Sequence, residues 1–361
     1  MTFITPPPLQ TGDRVAVIAC SSGAAAFFPL LRARGVQRLK DRFKVEPVLY
    51  PTMFQTSADV HARAKDINDA FKDNSIKGII CSIGGDDLIR ILPFVDRKAI
   101  CAHPKRVMGY SDITSLHLLL YQCGIVSYYG GNLLTQFAIS GNQMEEFTAS
   151  SIEKALFSPS SAPAVSLTAS AHFSDGFYEW SNEELQKRPP ANEPNAGWIW
   201  YDWKDGEQPK AINVTGRLWG GCLSTLYTHF VVQQYLPSFQ DFDGNVLFLE
   251  TSETMPSSNT VYSFLSALGE INVLQKFCAI LVGRPQTKDR EIEPPIGRNR
   301  YKVEQQEAVV RAVTEYCNSK KLPVVVFNID FGHTNPQIIV PSGGRCHINT
   351  KDRTIEFQYA S

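Results

Sequence analysis

Hydrophobic positions in the first 130 residues fall in short unbroken runs separated by amphipathic stretches. Residues 14–20, RVAVIAC, form an apolar run of strand length. Residues 28–43 have helical spacing, and 45–51 read as a strand. Residues 57–73 carry a helical apolar stripe with Ser57 as N-cap. The run 76–85, IKGIICSIGG, is a strand ending in two glycines; a helix is expected from 86–95 and another strand over 105–112. Strands that are apolar throughout, alternating with helices, predict a parallel sheet covered on both faces. In such sheets ligands gather at the carboxyl ends of the strands. Three loops lie there: Cys20-Ser21-Ser22-Gly23, Gly84-Gly85-Asp86-Asp87 and Gly109-Tyr110-Ser111-Asp112.

The pattern breaks in the middle of the chain. Residues 170–210 mix prolines and acids with Trp180, Trp198, Trp200 and Trp203, four of the five tryptophans. This stretch is too polar for a core helix and too aromatic for a disordered linker, so it reads as an ordered loop or lid. Regular periodicity resumes with strands at 245–253, 277–283 and 322–334 and helices at 257–270 and 302–320. Residues 338–360 alternate like a hairpin. The expected division is 1–165, an α/β domain; 166–210, a tryptophan-rich loop; and 211–361, a mixed domain ending in β structure.

Composition narrows the function. With 43% hydrophobic and 20% charged residues in 361, the chain can fill two cores. A net charge of -1 gives no electrostatic reason to expect nucleic acid or an anionic membrane as partner. No run approaches the ~20 apolar residues of a membrane span, and the first residues lack a signal-peptide pattern. Eight scattered cysteines without a C-x-x-C pair read as reduced core thiols and a cytoplasmic setting. No metal-ligand motif and no nucleotide-cofactor glycine motif occurs, so no metal and no cofactor is expected.

Strand, turn, helix around Ser111 is how a nucleophile is displayed, yet the second glycine of G-x-S-x-G is replaced by Ile113, and a helix N-cap is the competing reading. A serine nucleophile needs a base. Among seven histidines, His117 lies in the helix after Ser111, His229 in an apolar helical stretch, His61 and His172 in polar surroundings, His103 in a turn and His347 in a strand. His333 follows a long apolar strand and a glycine turn, and stands out as the base. Glu250 and Glu253, at the end of another apolar strand, are both open as the orienting acid. Gly84-Gly85 could bring backbone amides to an oxyanion.

Together the motifs PPPLQTGDRVAVIACSSG, CSIGGDD, GYSDITSL, GRLWGGCLSTL, LFLETSE and FGHTNPQIIVPSG resemble, in this order, the LD-carboxypeptidase family of serine peptidases over nearly the whole chain. The resemblance implies a flavodoxin-like N-terminal domain, a C-terminal domain containing a small β-barrel, and a homodimer. It implies a triad of Ser111, Glu250 and His333, with the backbone amides of Gly85 and Asp112 as oxyanion hole. One branch of the family trims L,D-linked muropeptides. Another, which confers self-immunity to microcin C, cleaves an aminoacyl-nucleotide amide and carries an extended loop with an aromatic that stacks on adenine. The tryptophan-rich segment favours the second branch, with Trp180 and Trp198 as candidate stacking residues. Arg217 and Ser22 are candidates for substrate contact by placement. Cys222 stands where the family often has asparagine. Two rivals are a non-catalytic α/β module binding a nucleotide or sugar and an α/β-hydrolase esterase.

Overall fold

The structure is a computed structural model and describes residues 2–159, 161–203, 212–290, 292–318 and 321–360. Five parallel strands, β1 (Arg14–Ile18), β2 (Glu46–Leu49), β3 (Ile76–Cys81), β4 (Arg106–Gly109) and β5 (Ser127–Tyr129), lie in the order β2-β1-β3-β4-β5. This is the flavodoxin-like order. Alternate residues of β1 enter opposite cores. Val15 and Val17 pack with Leu31, Leu39, Ile152 and Leu156 from helices Pro29–Phe43 and Glu146–Phe157. Ala16 and Ile18 pack with Ile67, Phe71, Leu116 and Leu119 from helices Val60–Lys72 and Thr114–Gln122. Burial on both faces explains why the strand is apolar at every position.

Two local expectations are corrected. Asp59, not Ser57, caps the helix Val60–Lys72, its carboxylate accepting the Ala62 N–H at 2.8 Å. Residues 86–95 form two short 3₁₀ turns, Leu88–Arg90 and Leu92–Phe94, because Pro93 has no N–H for a continuing helix.

The second sheet is curled and mixed. Its strands are β6 (Asn213–Cys222), β7 (Val246–Glu250), β8 (Ala279–Gly283), β9 (Val324–Ile329), β11 (Arg345–Asn349) and β12 (Thr354–Gln358), with short edge strands Val165–Ser166 and Ile199–Trp200. β6 to β9 run parallel; β11 and β12 add antiparallel beyond β6. This curled eight-stranded sheet stands where the resemblance implies a small barrel. The strand between β9 and β11, β10 (Val340–Ser342), leaves this sheet and pairs antiparallel with β5, Val340 opposite Tyr129. The C-terminal half therefore completes the first sheet, and the loop after β9 is carried to the ends of β4 and β5.

The tryptophan-rich segment is ordered as far as the described residues go. His172–Asp175 pairs with Glu193–Pro194 and with Thr334–Asn335, and Ile199–Trp200 pairs with β9. Residues 204–210 of the expected loop, and residue 211 after it, lie outside the described residues. Among the described residues, no helix is long and apolar enough to cross a membrane.

Candidate active site

Strand β4 ends at Gly109, and Ser111 follows with φ of 69°. A non-glycine residue in the left-handed region costs on the order of 1 kcal/mol and needs a surrounding structure that enforces it. Here the Ser111 carbonyl accepts from Thr114 Oγ1 at 2.6 Å, and its N–H donates to the Tyr129 hydroxyl at 3.2 Å. Glycines let other backbones approach this turn. A Cβ on Gly84 would lie 2.8 Å from Ser111 Cβ, and one on Gly221 would lie 2.5 Å from Thr114 Cγ2. The Cys222 N–H donates to Thr114 Oγ1 at 3.0 Å. The second glycine motif thus braces the Ser111 turn through its backbone, and the Cys222 thiol is buried.

The Ser111 hydroxyl does not cap the helix that follows. It lies 3.1 Å from His333 Nε2, and His333 Nδ1 lies 2.7 Å from Glu250 Oε2. Glu250, at the end of β7, is 1% exposed, and its other oxygen accepts from the Tyr129 hydroxyl at 2.5 Å. With Nδ1–H donated to Glu250, the Nε2 lone pair faces the Ser111 O–H, the arrangement required of a general base. Gly332, at φ 100°, permits the approach: a Cβ there would lie 2.7 Å from Glu250 Oε2. Burial acts to lower the His333 pKa, but the charge and hydrogen bond of Glu250, with a contribution from Glu253, outweigh it. The net shift is upward.

Glu253 meets the other ring nitrogen of His333. Its Oε2 lies 3.2 Å from Nε2, on the opposite side of the ring from Glu250, and its side chain is 52% exposed. Gly85 lies across the cleft, packed on the Ser21-Ser22 loop. The Asp112 carboxyl turns away, accepting from Ser21 Oγ at 2.5 Å and the Leu88 N–H at 2.9 Å. Burial, partly offset by these bonds, raises its pKa.

A cavity of about 340 Å³ opens over Ser111 and His333, lined also by Ser22, Gly84, Gly85 and Trp180. Trp180 packs edge-on against Phe28, with centroids 5.1 Å apart. Two expected contacts are corrected. Trp198 does not line this cavity; its Nε1–H donates to buried Asp330 at 2.9 Å, which ties the segment to the end of β9. Arg217 lines a separate cavity, donating to the Gly343 carbonyl at 2.7 Å and stacking over Phe3. A strand position facing the hairpin β11–β12 is the reason. His117 and His229 are core histidines: His117 bonds to Ser127 and the Gly109 carbonyl, and burial lowers its pKa to about 4. Tyr129 and Asn132 were not singled out from sequence. They stand at the end of β5, in SYYGGN, with the same strand-then-glycine pattern that marks the other site loops.

The family is established over both halves. Residues 15–130 match the LD-carboxypeptidase N-terminal domain and residues 215–348 match the LD-carboxypeptidase C-terminal domain. The chain belongs to this family, whose members are serine carboxypeptidase-type enzymes. It is 28% identical to the microcin C7 self-immunity protein MccF of Escherichia coli, over 98% of this chain and 96% of that protein. A solved structure of the microcin C7 self-immunity protein MccF in complex with aspartyl sulfamoyl adenosine superimposes with a TM-score of 0.81 at 26% identity, covering 99% of both chains. A probable murein peptide carboxypeptidase of Bacillus subtilis is 25% identical over 97% of this chain and 92% of that protein.

Proposed function

We propose that the protein is a serine hydrolase that cleaves the amide joining an aminoacyl group to a nucleotide-like moiety, detoxifying a microcin C-like compound. The hydrogen-bonded series Ser111–His333–Glu250 carries this reading, and the complex of its relative with aspartyl sulfamoyl adenosine supports the substrate class. Ser111 Oγ attacks the scissile carbonyl carbon as His333 Nε2 takes its proton, and Glu250 stabilises the imidazolium. The N–H groups of Gly85 and Asp112 receive the oxyanion, one such donor being worth roughly 10²–10³ in rate. The intermediate collapses: the C–N bond breaks, and His333 gives its proton to the leaving nitrogen. Water, deprotonated by His333, then attacks the ester on Ser111, freeing the carboxylate product and restoring the serine. Trp180, at the cavity wall, offers a face for the base. A cytoplasmic homodimer completes the proposal; its eight free cysteines suit a reducing compartment.

Muropeptide trimming is the second reading, favoured by the Bacillus relative. Offered alanyl-sulfamoyl adenosine and an L,D-linked tetrapeptide side by side, the purified protein is expected to hydrolyse the nucleoside faster. Ser111→Ala is expected to lower that rate roughly 10⁴–10⁶-fold with an unchanged circular-dichroism spectrum. Preference for the tetrapeptide overturns the substrate assignment; surviving activity overturns the nucleophile.

A further inference from the structure

The catalytic face of His333 is shared. Ser111 Oγ and Glu253 Oε2 stand 3.1 and 3.2 Å from the same Nε2, within two hydrogen-bond lengths of each other. A carbonyl carbon bonded to Ser111 would therefore hold its own substituents beside the Glu253 carboxylate. That carboxylate is half exposed to the cavity and makes no ion pair with a lysine or arginine among the described residues. The rest of the lining has the same sign. Asp86 and Asp289 also face the cavity, and its one cation among the described residues, Arg290, is paired with Glu179 at 3.2 Å.

A buried amide stands behind the same wall. Asn132 is fully buried and lines the cavity. Its Oδ1 accepts the Tyr110 N–H at 3.2 Å, which leaves Nδ2 as donor, and Nδ2 has no partner among the described residues. An anionic acceptor without a lysine or arginine partner among the described residues thus borders the space beside Ser111.

We propose that Glu253 is a specificity determinant: it pairs with an ammonium group on the acyl side of the scissile bond. The enzyme then selects acyl groups with a free amino group and disfavours acyl groups bearing a carboxylate. This deepens the aminoacyl reading above and rests on Ser111 as nucleophile, but not on the identity of the leaving group. It sets this chain apart from the relative seen with an aspartyl ligand. The contact with Nε2 adds a mechanistic consequence. Once His333 is protonated, an unoccupied Glu253 competes with the leaving nitrogen for the Nε2 proton. A substrate ammonium engages Glu253 and leaves that proton to the leaving group.

The test uses α-aminoalkyl diphenyl phosphonates, which phosphonylate a reactive serine whatever the natural leaving group. Three probes are compared on the full chain: an alanine analogue with a free amine, its N-acetyl form and an aspartate analogue. Second-order labelling rates at Ser111 are read by intact mass and peptide mapping. The free-amine alanine probe is expected to react roughly five- to tenfold faster than the other two, and Glu253→Gln is expected to erase that ratio. Because Glu253 also touches His333 Nε2, the readout is the ratio of free-amine to acetylated rates within each protein, and the absolute rate of Glu253→Gln is not compared with the parent. Equal rates for free and acetylated probes, or a ratio that survives in Glu253→Gln, overturn the role of Glu253 alone. No labelling of Ser111 by any probe overturns the nucleophile and this proposal with it. Labelling with retained selectivity but no hydrolysis of aminoacyl nucleosides leaves Glu253 standing and overturns the substrate class.

Discussion

Ser111 and Glu250 illustrate how much a single residue depends on what holds it. The serine sits at φ 69°, and the carboxylate is 1% exposed with both oxygens hydrogen-bonded. Tyr129 serves both, its hydroxyl accepting from the Ser111 N–H and donating to Glu250. In the proposed mechanism His333 takes a proton only while neutral, so activity is expected to fall as pH drops through its pKa. Its upward shift puts that fall above the ordinary imidazole value of ~6.5. Glu250→Gln removes the charge that raises it. The acid limb of the kcat/KM profile is expected to move to lower pH, and kcat to drop by roughly 10³–10⁴-fold through loss of the correct tautomer. A pH-rate series on both proteins checks this; an unmoved limb would separate Glu250 from the titrating group.

At the scale of elements, the tryptophan segment divides into a part that lines the cavity and a part that holds the fold. Trp180 lines the cavity, and Trp198 anchors to Asp330, which also accepts from Ser170 Oγ and pairs with Arg284. Trp180→Ala is expected to raise KM for an aminoacyl nucleoside by roughly tenfold or more with kcat retained, as base stacking is worth ~1–3 kcal/mol. Trp198→Phe is expected to leave KM unchanged and lower Tm, losing a charged hydrogen bond worth about 1.5–3 kcal/mol. Steady-state kinetics and a thermal melt on each variant distinguish the two roles. Composition alone treats these tryptophans as equivalent. What separates them is the antiparallel pairing of Ile199–Trp200 with β9, a long-range contact that the sequence pattern does not encode.

The same division between local and long-range information holds for the whole molecule. Apolar runs such as 14–20 and 76–81 announce buried parallel strands, and the strand-end loops follow from them. His333 was legible because a long apolar strand runs into a glycine turn. Glu250 and Glu253 could not be ranked from their spacing, since either could meet a histidine whose position was unknown. Their separation onto opposite ring nitrogens depends on β10 crossing to β5 and carrying the His333 loop between the two sheets. Arg217 was misjudged for a related reason: β6 passes the active site only at its carboxyl end, and Arg217 lies five residues earlier, opposite Arg345. Tyr129 escaped notice because a tyrosine in an apolar strand reads as core until the carboxylate it meets is known.

Catalysis through a covalent ester on Ser111 is most directly tested by rapid acid quench of the protein mixed with excess alanyl-sulfamoyl adenosine, followed by intact mass and peptide mapping. One alanyl adduct, confined to the peptide containing Ser111 and absent in Ser111→Ala, is the expected result. Turnover without any adduct in the wild-type protein, together with continued turnover in Ser111→Ala, would contradict it.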